Sequence, residues 1–121
     1  MSALTITELL QHLEHQPETL RFADVITSIE AHYHFTAVAF NNNGVDNAGG
    51  ENQGSCKVLA FAKLHQLSKA QTLACFAEHY FADVLVNPSA TNHANIRALL
   101  ASELGIDGVE FSQVALQEKG R

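Results

Sequence analysis

The 121-residue chain is 46% hydrophobic and 17% charged, and seven basic against thirteen acidic side chains leave a formal charge of -6. That length suits one domain, since domains centre on roughly 100–150 residues, and the acid excess with scattered Lys and Arg excludes binding to nucleic acid by counterion release and argues against anionic membranes. No stretch approaches the roughly 20 apolar residues of a membrane span, and the N-terminus lacks the basic start and apolar run of a secretory signal.

Thr5 and Glu8 form a capping-box pattern, each side chain placed to satisfy a free backbone N–H of the first turn. Ile6, Leu9, Leu10 and Leu13 follow at helical spacing, and Pro17 lies beyond the end. A second helix carries Phe22, Val25, Ile26, Ile29 and Tyr33, with Arg21, Asp24, Ser28 and Glu30 on its polar face. The period then changes. Phe35 to Phe40, rich in β-branched and aromatic residues, predicts a strand, and Asn43-Gly44 marks a turn because both residues tolerate positive φ. Residues 41 to 54 hold five Asn and four Gly and predict a long polar loop.

Ser55 is placed to cap a third helix through about Gln66. Ser68 with Gln71 repeats the capping box and opens a fourth helix to about Leu85, with Leu73, Phe76, Ala77, Tyr80 and Val84 inward, and Asn87-Pro88 ends it. Thr91 or Asn92 caps a fifth helix bearing Ile96, Leu99, Leu100 and Leu104, closed by Gly105. Val109 and Phe111 alternate in the tail, which supplies one or two more strands. This order does not alternate as a doubly wound fold does. It predicts an α+β domain over residues 1–121, with about five helices packed on a small β-sheet.

Three places carry chemistry. If a helix begins at Ser55, Cys56 sits in its first turn, where free N–H groups and the helix dipole favour a thiolate and Lys57 adds positive charge. His93 or His79 would be the base and Gln53 the oxyanion donor of a thiol-dependent hydrolase or transferase. The letters around Cys56 look like the nucleophile region of papain-like proteases. That fold is excluded by length, because its histidine lies about 130–150 residues downstream and the chain ends at Arg121. The commoner reading of Cys56 is a small buried side chain. Cys75 and His79 share a helical face, but two ligands do not make a zinc site, and no metal or cofactor is expected. With no loop-rich scaffold around them, both cysteines read as reduced thiols, although spacing leaves a disulfide open. The third place is the fifth helix start, where Asn92, His93, Asn95 and Arg97 gather donors suited to an anion or a backbone carbonyl.

The runs from Phe22 to Gly44, Asn47 to Leu64 and Thr72 to Leu85, with Asn92-His93-x-Asn95-Ile96-Arg97, resemble the HopJ type III effector family, also called HopPmaJ-like. The similarity is collinear from about Phe22 to Phe111. Family members tend to have Pro where this chain has Ala37, and a Trp-containing segment where it has Gly105 to Gly108. The resemblance implies a bacterial protein, resident in the cytoplasm and delivered into host cells by a type III apparatus. It implies no catalytic activity. The expected function is therefore binding of an unknown protein or small molecule by a monomer, through loop 41–57 and the helix start at 92–97. Asn47, Asn52, Ser55, His93, Asn95 and Arg97 are the candidate contacts. Polar residues so dense in a loop need partners, so residues 44 to 57 are expected to be ordered and pinned to the body.

Overall fold

The computed structural model describes residues 4–119. Helix α1 (Ile6–His15) begins as predicted: Thr5 Oγ1 accepts from Glu8 N at 3.0 Å, and Glu8 Oε1 accepts from Thr5 N at 2.9 Å. A 3-10 turn at Pro17–Thr19 leads into α2 (Phe22–His32). Ser28, expected on the polar face, is fully buried, and its hydroxyl donates to Leu4 O at 2.8 Å. Helix α2 stops one residue short of Tyr33, which opens strand β1 (Tyr33–Phe35).

Strands β2 (Phe40–Asn42) and β3 (Val45–Asn47) form a hairpin. Asn43 and Gly44 turn it at φ 51° and 99°, the two-residue geometry whose twist matches the strands. Part of the predicted polar loop is therefore strand. Near the C-terminus, β4 (Val109–Phe111) pairs antiparallel with β2, and β5 (Leu116–Glu118) pairs with β1. The register that matches Tyr33 with Glu118 and Phe35 with Leu116 continues without slip to Phe40 with Phe111 and Asn42 with Val109. Thr36 N donates to Ala115 O at 2.8 Å and Ser112 N to Ala39 O at 3.0 Å, on either side of a gap at Ala37-Val38. The two short sheets are thus one interrupted ladder.

Across the gap the inward positions change phase, from buried Tyr33 and half-buried Phe35 to buried Val38, Phe40 and Asn42. The predicted strand Phe35–Phe40 is, in its middle, this interruption. Ala37 lies in this gap, between the bonds that Thr36 and Ala39 make to the partner strand.

Helix α3 (Gln53–Leu64) runs through the centre, burying Cys56 and the whole of Val58 to Ala62. Its cap is Asn52, three residues earlier than the cap predicted at Ser55. Helix α4 (Lys69–Cys75) opens with the predicted Ser68/Gln71 capping box but stops well short of Leu85. Ala77, fully buried, adopts φ 53°, and a π-helical segment, His79–Val84, follows in a new direction. Alanine is the best helix former, so the break comes from packing. Phe76 and Ala77 are drawn inward together, and Glu78 Oε1 accepts from Phe22 N at 2.7 Å.

Helix α5 (Ala94–Ala101) is capped by His93, not Thr91 or Asn92, and ends three residues before Leu104. Lys69 Nζ takes up its last carbonyls, Leu100 O at 2.9 Å and Ser102 O at 2.7 Å. A 3-10 turn at Gly105–Gly108 leads into β4. Among the described residues five α-helices pack with these small antiparallel strands in an α+β arrangement. Leu9, Ile29, Leu59, Phe61, Phe76 and Leu99 form the water-free centre, and each fully buried side chain of this kind contributes roughly 1.5–3 kcal/mol.

One contact at the end of α3 makes stability depend on pH. Tyr33 Oη lies 2.8 Å from His65 Nε2, with the Phe61 ring beside the imidazole. Burial pushes the His65 pKa down against the pull of Glu118, so the neutral ring accepts the phenol proton. Below the ordinary histidine range, near pH ~6.5, the unfolded chain binds more protons at His65 than the folded one does. Stability present above that pH is lost as acid is added. The urea midpoint should therefore fall between about pH 7 and about pH 5, and fall less in His65→Gln. Equal slopes would show that His65 does not carry the effect.

Candidate functional site

The polar loop is tied to the body by asparagine side chains. Because of the phase change in the ladder, Asn42 points inward and is fully buried. Its Nδ2 donates to Asn95 O at 2.9 Å and to Asn95 Oδ1 at 3.1 Å, in the first turn of α5. Asn47, at the end of β3, is also buried. Asn47 Oδ1 accepts from Asn95 Nδ2 at 2.9 Å and from Asn52 Nδ2 at 2.7 Å, while its own Nδ2 donates to Val45 O at 3.1 Å and Asn95 Oδ1 at 3.2 Å. Asn43 Nδ2 adds bonds to Asn42 Oδ1 at 2.9 Å and Gly105 O at 3.1 Å. Among the described residues no buried side-chain nitrogen or oxygen lacks a partner. A single carbonyl oxygen, that of Asn47, joins the start of α3 to the start of α5.

The two helix starts meet at a cleft of about 310 Å³, lined by Asn52, Gly54 and Ser55 on one side and His93 to Ile96 on the other. Phe22, Phe76 and His79 complete the wall. Asn52 and His93, the two cap residues, both adopt left-handed conformations, φ 49° and 55°, and neither caps its helix with a side-chain bond. Among the described residues nothing accepts from the N–H groups of Gln53, Gly54 and Ser55, or of Ala94, Asn95 and Ile96. Helix starts left this way attract anions through their free N–H groups and dipole.

Rings make up the rest of the cleft. Phe22 stacks on Phe76 with centroids 6.3 Å apart, meets His79 edge-on at 4.8 Å, and His79 lies 5.2 Å from His93. Asp83 Oδ2 holds His93 Nε2 at 2.8 Å, and that bond draws the Asp83 carboxyl below its usual range.

Of the predicted contacts, Asn52, Ser55, His93 and Asn95 line this cleft, and Asn47 stands behind it. Arg97 does not reach the loop: its guanidinium bonds Asn92 O, Asn92 Oδ1 and Asn87 O. Gln53 donates to Gly50 O at 3.3 Å on the surface, and Lys57 pairs with Glu30 at 2.6 Å over the Phe35 ring.

Cys56 is one residue past Ser55 and so on another face of α3. It is buried against the core rather than set in the cleft. Burial raises its thiol pKa, offset only in part by the Val38 backbone and Lys57. A thiolate nucleophile needs the opposite environment. Cys75 is fully buried, its pKa pushed up to about 12, and helix α4 ends there before His79. Among the described residues no three metal-ligating side chains gather, and no helix is long and apolar enough to cross a membrane.

Asn42, Asp83, Phe22 and Phe76 belong to the site and were not among the contacts named from the sequence, where Phe22 and Phe76 were expected only as apolar helix-face residues. A signal existed for Asn42, which follows Phe40 at strand period. None existed for Asp83, which depends on the turn after Ala77.

The geometry defines a small α+β domain with a polar, ring-lined cleft at two helix starts. The model of the HopJ type III effector protein family matches residues 6–116, and the chain belongs to that family. The crystal structure of an unknown-function protein, VPA0580, is similar, with a TM-score of 0.91 and 38% identity over 98% of this chain and 97% of that one. No curated protein matches the sequence.

Replacing Asn47 with Ala strips buried Asn95 Nδ2 of its acceptor and also frees Asn52 Nδ2. Asn52 is exposed and Asn95 buried, so at roughly 1–3 kcal/mol for the one orphaned buried group denaturant unfolding should show a loss of about 1–3 kcal/mol. The combined Asn47→Ala/Asn95→Ala chain should lose less than the two single losses together. Additive losses would mean that the two amides do not act as one unit.

Proposed function

We propose that this HopJ protein is a binding domain for a small acidic molecule with a flat apolar body, held as a monomer's ligand in the cleft between the starts of α3 and α5. The supporting observation is the convergence of two uncapped helix starts on one hollow. Six N–H groups without acceptors among the described residues would serve a carboxylate or phosphate, and Phe22, Phe76, His79 and His93 would flank a planar body. At about 310 Å³ the cleft is at the small end of ligand pockets.

Two other hollows offer less. In one of about 560 Å³, Lys69 is already committed to the α5 carbonyls and Lys63 to Val109 O. One of about 400 Å³, beside Ala60, Leu64 and Val114, is apolar and presents few polar groups to orient a ligand. Under the same reading the protein works in the bacterial cytoplasm, or in a host cell after the type III delivery that the family's name implies. Catalysis through Cys56 receives no support from its burial.

Benzoate, a planar acid, is a suitable probe, with inorganic phosphate as the anion lacking a ring. At about 10 mM, ten times a Kd of about 1 mM, benzoate should shift the amide resonances of Gln53 to Ser55 and Ala94 to Ile96 and the ring signals of Phe22. Phosphate should move the amides alone. Shifts confined to Ala60, Leu64 and Val114, or none with either probe, would refute the cleft as the binding site.

A further inference from the structure

Asn43 is the one asparagine in the chain followed by glycine. That pairing is chemically labile, because glycine has no side chain to keep its nitrogen from the asparagine carbonyl carbon. In the reaction Gly44 N loses its proton and bonds to Asn43 Cγ, Nδ2 leaves as ammonia, and a succinimide ring closes. Water then opens the ring at either carbonyl, leaving aspartate or isoaspartate.

Each reacting group is held in the fold. Gly44 N donates to Asn41 Oδ1 at 3.0 Å, and the departing nitrogen, Asn43 Nδ2, donates to Asn42 Oδ1 and Gly105 O. The Gly108 backbone lies against Asn43 Oδ1 so closely that a β-carbon there would overlap it. We infer that Asn43 is a latent deamidation site, closed in the native state by Asn41, Asn42 and Gly105, and that conversion there disables the asparagine clamp.

The second half rests on the direction of the bonds. Asn43 Nδ2 donates to Asn42 Oδ1, Asn42 Nδ2 to Asn95, and Asn95 Nδ2 to Asn47 Oδ1. A carboxylate at position 43 has no proton to give, so it would confront Asn42 Oδ1 and Gly105 O with acceptors on every side. Turning the Asn42 amide over to serve it would aim the Asn42 oxygen at Asn95 O and Oδ1. No orientation satisfies both ends, and a buried orphan is costly. Isoaspartate also lengthens the backbone of a two-residue turn whose closure depends on its length.

The test compares the intact protein with the urea-unfolded chain at mildly alkaline pH, following conversion by mass mapping of the peptide that contains residues 41–54. The unfolded chain should convert at Asn43. The native chain should do so on the order of a hundredfold more slowly, as for a segment open about 1% of the time. In Asn41→Ala, which frees Gly44 N, native conversion should accelerate several-fold with the unfolded rate unchanged. Converted wild-type chains, separated by their added negative charge, should lose amide protection over residues 44–52. Native conversion as fast as in the unfolded chain would overturn the shielding. Converted chains that keep wild-type protection would overturn the link to the clamp. Neither of those two readouts depends on whether the variant folds.

Discussion

The side-chain oxygen of Asn47 accepts from Asn52 at the start of α3 and from Asn95 at the start of α5. Those helices approach each other at their N-terminal ends, where free N–H groups and dipoles of the same sign repel. An amide bridge is suited to such a junction, since it joins the two through hydrogen bonds without adding a net charge. Ordering a polar loop costs roughly 1–2 kcal/mol per backbone residue, and Val45 is the one strongly apolar side chain of the turn and loop that follow Asn42. The fully partnered amides of Asn42, Asn47 and Asn95 are what offsets that cost.

The clamp in turn depends on the strand ladder. Had Tyr33 and Phe35 continued inward at strand period, the next buried positions would have been Ala37, Ala39 and Asn41, with Phe40 and Asn42 turned to solvent. The gap at Ala37-Val38 changes the phase while the register is kept, and a change of phase moves every later side chain to the other face. The same interruption sets Val38 beside Cys56. A feature that reads as a defect in a strand is therefore what brings Asn42 to α5.

Local signals were legible in the sequence where their cause is local. Thr5/Glu8 and Ser68/Gln71 cap helices because each box is closed within four residues, and Asn43-Gly44 turns the hairpin because φ is a single-residue property. The density of asparagine predicted an ordered, pinned loop, and Asn47, Asn52 and Asn95 are joined in it. Less legible was anything set by distant packing. Ala77 carries no breaker signal, yet its turn is what brings His79 and Asp83 to the cleft. Arg97 was expected at the loop on helical spacing alone, but the chain before α5 offers it closer carbonyls at Asn87 and Asn92. Cys56 followed from an expected helix start at Ser55. With the start at Asn52 the thiol lies a turn inside the helix and faces the core.

Amide hydrogen exchange in the unliganded protein tests the clamp most directly. The amides of Val45 and Asn47 and that of Cys56, which donates to Asn52 O just inside α3, should exchange far more slowly than free peptide, at rates approaching those of Leu59 and Phe61 in the centre of α3. In Asn47→Ala that protection should collapse over the loop while α1 and α2 keep theirs. Free-peptide rates across residues 44–57 in the wild-type protein would contradict the account.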